Sequence, residues 1–290
     1  MLEQNLASFW EHVDGIIDQA LVEDHTADDV TTRALIPEHF EGKAVIIAKG
    51  DGVLAGIEVA KAVFMHVDPT LQVEVNIVDG SRVKRGDVVA TLSGEIVSIL
   101  KGERPALNFL CHFSGIATET SRYVEEVKGL NVRILDTRKT TPGLRPFEKH
   151  AVRMGGGQSH REHLGDWILI KNNHLTALRS LGLGIRDAVK RGREGSFCGD
   201  VTRVEIEVES VDAALEALEA GADIIMLDNM SIDDMKRAVG LCKGKVLLEA
   251  SGGINLNNVR AVAETGVDLI SVGAITHSAK VLDMSLRLKV

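Results

Sequence analysis

The sequence predicts an α/β protein in two parts: a smaller N-terminal α/β region, then a larger region of parallel strands joined by helices. Three observations carry this. From Thr118 onward, short apolar runs alternate with helical stretches, the signature of parallel βα units. Between Gly80 and Gly94 the apolar runs are short and bounded by glycines, as tight antiparallel connections require. A chain of 290 residues, 44 % hydrophobic and 26 % charged, is long enough to bury a large core and a smaller second one.

Taken in order, residues 2 to 22 place Leu2, Leu6, Phe9, Val13, Ile16, Ile17, Ala20 and Leu21 at three-to-four spacing, which is one apolar face of a helix. Asp24 to Thr32 reads as a polar turn, and Arg33 to Pro37 leads into strands. Ala44 to Lys49 is expected as a strand, Gly56 to Val67 as a helix and Leu71 to Val78 as an alternating strand. Gly86-Asp87 suits a hairpin turn, so the glycines around it are read as structural. Leu107 to Ile116 is an apolar helix leading into the second part.

Six strands are expected there: Arg133 to Thr137, Trp167 to Lys171, Val204 to Glu209, Asp223 to Asp228, Val246 to Ser251 and Leu269 to Gly273. Two of the intervening helices have start and stop residues, Ser210 with Gly221 and Ser231 with Gly244. Six strands fall short of the eight in a complete barrel, so pattern alone leaves an open sheet and an incomplete barrel both open.

A formal net charge of -9 at pH 7 suits nucleic acid poorly, and one Tyr, two Trp and seven Phe are too few for base-stacking platforms. Cys111, Cys198 and Cys242 lie far apart and form no C-x-x-C, so neither a disulfide framework nor a zinc site is expected and a reducing cytoplasm is the fitting compartment. The stretch MLEQNLASFWEHVDGII carries acids where a signal peptide would be basic. No stretch approaches the roughly 18 apolar residues of a membrane span.

Charge is unevenly spread. Between Asn131 and His174 eight basic residues stand against four acidic ones, a local +4 in a chain of -9. Cations gathered in this way focus field on a bound polyanion. Arg138 and Lys139 follow Ile134-Leu135, and Lys171 follows Ile168-Leu169-Ile170, so all three sit at strand C-terminal ends, where α/β barrels carry reactive groups.

Glu207 and Asp228 also lie near strand ends, where carboxylates suit Mg²⁺ or ribose hydroxyls. Glu205, Glu207 and Glu209 alternate and so face one side of the sheet, an arrangement costly inside a barrel without cations or metal to match it. Ser251-Gly252-Gly253 and Gly273-Ala274 each follow a strand and precede a helix, a pattern suited to holding phosphate on backbone N–H groups. His160 and His163 could share a helical face and bind a transition metal, but further ligands are not evident and Arg161 would repel a cation. His277 reads as a cap or packing residue, and the absence of G-x-x-x-x-G-K-[ST] disfavours a P-loop.

DTRKT, TPGLR, E-K-x-A-V-x-x-GGG, HR and LIKNNH within Ile134 to His174 resemble the quinolinate phosphoribosyltransferases. So do GERPALNFLCHFSGIAT at 102 to 118, EIEVES at 205 to 210, IMLDNM at 225 to 230, EASGGI at 249 to 254 and ETGVDLISVGAITHS at 264 to 278. The blocks occur in order and cover nearly the whole chain. The pattern departs from the family's usual one at Ser159, Glu162 and His163.

The resemblance implies an open α/β barrel over 116–276, a separate N-terminal α/β domain over 1–115 bounded near Gly115, and a C-terminal helix over 277–290 packing back on it. It implies homodimers whose active sites take residues from both subunits. It also implies transfer of phosphoribosyl from 5-phosphoribosyl 1-diphosphate, with Mg²⁺, to quinolinate. The products would be nicotinate mononucleotide, CO₂ and diphosphate, a step of NAD biosynthesis. By the same match, Arg138, His160, Arg161 and Lys171 hold the acceptor's carboxylates, with Arg104 reaching in from the other subunit. Lys139 contacts the diphosphate or the transferring centre, Glu207 and Asp228 the ribose and Mg²⁺, and Ser251, Gly252, Gly253 and Gly273 the 5-phosphate. The competing readings are a related transferase with another acceptor, of the molybdenum-associated type, and a non-catalytic anion-binding regulator. LIKNNH argues against the first, and intact Lys139, Glu207 and Asp228 against the second.

Overall fold

A computed structural model describes residues 2–195 and 203–289, with side chains from His12 onward. Cys198 and the side chains of Leu2, Leu6 and Phe9 lie outside the described residues. In chain order the elements are α1 (Leu2–Glu23), α2 (Val30–Leu35), β1 (Glu41–Ala48), β2 (Gly52–Val53), α3 (Ile57–Val67), β3 (Gln72–Val75), β4 (Arg82–Val83), β5 (Val88–Glu95) and α4 (Ile96–Glu126). They continue with β6 (Arg133–Leu135), α5 (Arg145–Met154), β7 (Ile168–Ile170), α6 (Asn172–Arg179), α7 (Ile185–Glu194), β8 (Val204–Val208), α8 (Val211–Glu219), β9 (Ile224–Asp228) and α9 (Ile232–Cys242). The last are β10 (Leu247–Ser251), α10 (Val259–Ala263), β11 (Leu269–Ser271), α11 (Ala274–His277) and β12 (Met284–Lys289). Two compact units result, one from residues 1–121, 141–156 and 279–290, the other from 122–140 and 157–278.

The first unit holds a four-stranded antiparallel sheet in the order β12-β1-β5-β3. Its outer strand corrects the expectation of a C-terminal helix, because β12 pairs along β1 from Ala48 opposite Met284 to Lys43 opposite Lys289. Met284, Leu286 and Leu288 recur with period two, which fits a strand and not a helix. α4 is longer than the expected apolar stretch and passes Gly115 without a break. A Cβ at Gly115 would run into Lys280 O and Val281 Cα, so the bare backbone there lets the segment leading to β12 lie against α4. Leu282 N donates to Cys111 O on the same helix at 3.0 Å.

Two local readings change. The polar stretch before Arg33 ends in α2, which runs on to Leu35 and is started by Asp29, whose carboxylate accepts from Thr32 N at 2.9 Å. The Gly86-Asp87 turn does not close a hairpin, since β4 pairs with β2 whereas β5 pairs with β1 and β3.

The second unit is built on six parallel strands in the order β6-β11-β10-β9-β8-β7, at the positions the alternation predicts. All five residues of β8 and the first four of β9 are buried, as expected of strands covered on both faces. Ser210 and Ser231 cap α8 and α9 by accepting from Ala213 N and Asp234 N, and Gly221 and Gly244 follow those helices with φ of +84° and +81°. Beyond β6, Gln158 forms a parallel bridge to Leu135. The sheet curls, because His160, two residues on, reaches Glu205 on β8 and Glu249 on β10. Among the described residues no ladder joins β7 back to this side, so the barrel is open.

No helix among the described residues is long and apolar enough to cross a membrane. Gly115→Val should destabilise the first unit by about 2 kcal/mol. The check is a lowered thermal midpoint, and an unchanged midpoint would mean that the β12 segment does not need the close approach to α4.

Candidate active site

Because the six strands run parallel, their C-terminal ends share one rim. A cleft of about 770 Å³ opens there, within the size range of small-molecule sites. Arg138, Lys139, His160, Arg161, Lys171, Glu207, Asp228, Ser251, Gly252 and Gly253 all line it. Gly273 sits beside Lys139: a Cβ on it would lie 3.1 Å from Lys139 Cδ, and Thr276 Oγ1, on the helix that Gly273 starts, donates to Lys139 O at 2.8 Å. Arg104 belongs to α4 in the other unit.

One part of the cleft gathers cations. Asp136, fully buried after β6, accepts from His160 N at 2.9 Å and so fixes the segment that carries His160 and Arg161. Asp166 folds the next residues into a turn by accepting from Glu162 N at 2.5 Å and His163 N at 3.1 Å. Residues 160 to 163 are therefore not helical, and His163 pairs with Asp166 at 2.8 Å in the open, so the two-histidine metal face does not form. Arg161 is 8 % exposed, and its Nη1 donates to Trp167 O at 3.3 Å. Burial and the nearby positive charge of Arg138 hold the Arg161 guanidinium below its ordinary pKa, against the pull of Glu205 and Asp166.

The same cleft gathers carboxylates. Glu207 pairs with Lys171 Nζ and accepts from Asn172 N at 3.3 Å, while exposed Glu209 accepts from Asn172 Nδ2 at 2.7 Å. Burial, and then the charge of Glu207, raise the pKa of Asp228; a hydrogen bond from Asn229 and the charge of Lys171 oppose the rise. Next to it the Ser251-Gly252-Gly253 turn has φ of +87° and +63° at its two glycines, and a Cβ at Gly252 would occupy the space of the Asn229 amide. As expected, the turn follows β10 and precedes a helix, α10, which starts at Val259.

Below these groups lies a buried cluster. His160 Nε2 is 3.3 Å from Glu205 and 3.6 Å from Glu249 Oε2, the second distance being electrostatic contact and not a hydrogen bond. Trp167 Nε1 donates to Glu205 at 2.7 Å and Ser271 Oγ to Glu249 at 2.5 Å. Ligand atoms of His160, Glu205 and Glu249 lie within 4.8 Å of one another, a grouping that could hold a metal ion. Burial lowers the pKa of His160, but its contacts with Glu205 and Glu249 outweigh that and push it up to about 9. Arg161 N–H points at His160 Nδ1 at 2.8 Å and so favours a proton on Nε2 alone; a second proton must displace that amide. Burial, and then the charge of Glu205, raise the pKa of Glu249, against its contacts with His160 and Ser271.

Residues 29–114 match the family model "Quinolinate phosphoribosyl transferase, N-terminal domain", and residues 116–287 match "Quinolinate phosphoribosyl transferase, C-terminal domain". The chain belongs to the quinolinate phosphoribosyltransferase family. It is 40 % identical over 271 residues to a protein of Bacillus subtilis (strain 168) named probable nicotinate-nucleotide pyrophosphorylase [carboxylating], covering 93 % of this chain and 91 % of that one. A Nicotiana tabacum relative, quinolinate phosphoribosyltransferase [decarboxylating] 2a, mitochondrial, is 38 % identical, with 94 % of this chain and 81 % of that one covered. Among solved structures, NadC from Streptococcus pyogenes superposes with a TM-score of 0.90 at 41 % identity over 96 % of each chain. The nicotinate-nucleotide pyrophosphorylase from Francisella tularensis does so with a TM-score of 0.90 at 38 % identity, again over 96 % of each.

Sequence reading of this family member missed Asn229, Met226, Ser271 and Glu249. Asn229 and Met226 line the cleft beside Asp228. Asn229 follows a strand-ending acid and has φ of +53°, so an Asn at such a strand end was its signal. Glu249 was marked by being an acid in the middle of the apolar run Leu247 to Ala250.

The raised pKa of His160 sets a pH dependence of stability. Its unfolded-state value is 6.5 and its folded value about 9, so the stabilisation is complete below pH 6.5 and is lost as pH rises through 9. The thermal midpoint should fall between pH 6.5 and 9, by up to about 3 kcal/mol of stability, and His160→Gln should flatten that part of the profile.

Proposed function

We propose that this cleft transfers the phosphoribosyl group of 5-phosphoribosyl 1-diphosphate to quinolinate, with decarboxylation to nicotinate mononucleotide. The observation that carries the reading is the double crowding of like charge. Burial and then the charge of Arg138 hold Arg161 low, burial and then the charge of Glu207 raise Asp228, and all four residues line the one cleft. A dianionic acceptor relieves the first conflict and a cation relieves the second. The family relatives' names point to the same chemistry.

In this reading Arg138, Arg161 and Lys171 hold the two carboxylates of quinolinate, the planar guanidinium matching a carboxylate bidentately. His160 lies at the floor, its Nε2 turned to Glu205 and Glu249. Lys139, beside Gly273, lies against the diphosphate, and Ser251, Gly252, Gly253 and Gly273 hold the 5-phosphate. Glu207 and Asp228 would hold the ribose hydroxyls and Mg²⁺; a raised carboxylate next to a second one is a donor set that a divalent cation fits. Bound Mg²⁺ would supply charge neutralisation for the diphosphate.

The residues act by placement and charge. They bring the pyridine nitrogen to the anomeric carbon as diphosphate departs, so no side-chain nucleophile is needed. The C–N bond forms, the C–O bond to diphosphate breaks, and the resulting pyridinium accepts the electron pair released when the adjacent carboxylate leaves as CO₂. A proton then replaces that carboxylate on the ring.

We further propose a homodimer in which Arg104 serves the partner's cleft, with domain limits of about 1–115 and 116–276. A cytoplasmic enzyme would be in keeping with Cys111 and Cys242 as free thiols.

Purified protein incubated with quinolinate, phosphoribosyl diphosphate and Mg²⁺ should yield nicotinate mononucleotide and CO₂, while nicotinate should serve poorly because one carboxylate's worth of cations goes unmatched. Equal rates with the two acceptors would overturn the reading. Arg161→Ala should weaken quinolinate binding by about 2 kcal/mol, seen by calorimetry. Glu207→Ala and Asp228→Ala should impair donor use and Mg²⁺ dependence with quinolinate binding nearly intact. For the dimer, equal amounts of Arg104→Ala and Lys139→Ala subunits, each inactive alone, should recover about one quarter of wild-type activity after exchange.

A further inference from the structure

The floor of the cleft holds more buried charge than the transfer chemistry uses. Glu205 and Glu249 are fully buried on β8 and β10, two strands apart in the sheet, yet both turn to the same atom, His160 Nε2. Each is held from a further element: Glu205 by Trp167 Nε1, just before β7, and Glu249 by Ser271 Oγ, on β11. His160 Nδ1 faces the other way and takes the Arg161 backbone N–H at 2.8 Å. Asp136, after β6, accepts from the His160 backbone. A continuous set of contacts thus runs from β8, β10 and β11, and from residues flanking β6 and β7, to the one peptide that presents Arg161 to the cleft.

We propose that Glu205 and Glu249 are positioning residues that lock the His160 ring and, through it, the Arg161 backbone, so that the Arg161 guanidinium is preorganised for the acceptor's carboxylate. The inference rests on the acceptor role given to Arg161 above. Two unlinked carboxylates would be an expensive way to fill a barrel interior that Leu or Met could pack. Their convergence on one ring nitrogen explains their presence. Charged and titratable neighbours from every side agree with the arrangement: Glu205 from β8, Glu249 from β10, Asp136 from the end of β6, and Arg138 and Arg161 from the cleft. A ring hydrogen-bonded at both nitrogens has one allowed orientation, and binding energy then need not be spent on ordering it.

Four variants test this: Glu205→Gln and Glu249→Gln, which keep shape and remove charge, and the milder Trp167→Phe and Ser271→Ala, each of which removes one hydrogen bond to a glutamate. Steady-state kinetics should show the KM for quinolinate raised about tenfold in the Gln variants and less in the other two, with the KM for phosphoribosyl diphosphate within about twofold of wild type. Histidine-selective ¹⁵N NMR, with the His160 signal identified by its loss in His160→Asn, should show a slowly exchanging Nε2–H in wild type that exchanges faster in all four variants. Should the Gln variants fail to fold, Trp167→Phe and Ser271→Ala still decide the matter. An unchanged ring signal in folded variants overturns the proposal, as does an equal rise in both KM values. So does a stoichiometric metal in the purified protein that is lost on His160→Asn, since the glutamates would then be ligands. If wild-type protein does not use quinolinate, the functional reading fails and the ring signal alone decides the positioning role.

Discussion

Charge buried inside a parallel barrel must be answered by groups on neighbouring strands, and that requirement orders the whole C-terminal unit. Glu205 and Glu249 could not sit at zero exposure in β8 and β10 without His160, Trp167 and Ser271 turned toward them. Meeting the requirement ties the segment beyond Gln158 to β8 and β10. The rim above carries Arg138, Arg161 and Lys171 together with Glu207 and Asp228.

This set gives the cleft two unmet electrostatic demands of opposite sign within a single opening. Lys171 partly answers one by pairing with Glu207. A ligand set carrying both an anionic ring and a cation-bound phosphate would satisfy both demands at once. Neither component alone would do so, which is a physical reason for two substrates to sit side by side in one site.

Much of this was legible in the sequence, because parallel strands buried on both faces must be short apolar runs and strand ends must carry the reactive groups. Ile134-Leu135 and Ile168 to Ile170 announced their strands, and Arg138, Lys139 and Lys171 could be placed at the rim from their order alone. Other features were hidden because they depend on partners distant in sequence. The six residues of β12 are too few for their period-two pattern to outweigh an expected helix, and the pairing with β1 that makes them a strand cannot be seen locally. His160 could be tied to the site, but not its commitment to Glu205 and Glu249, which only the curl of the sheet brings together. The α2 helix was masked by polar residues whose capping contact, Asp29 to Thr32, is local but easily read as a turn.

The docking of β12 on β1 imposes an order on folding. Lys43 waits for Lys289, and every residue of the 122–140 and 157–278 unit is synthesised between them. That unit's own strand pairings are complete without β12, so it is free to consolidate while β1 still has an open edge. An open edge is a template for other chains. Long-range closure of this kind is slow and leaves intermediates exposed. During translation, then, the vulnerable surface of this enzyme is the flank of its first sheet and not its catalytic barrel, and that flank is where a ribosome-associated chaperone would have most to shield.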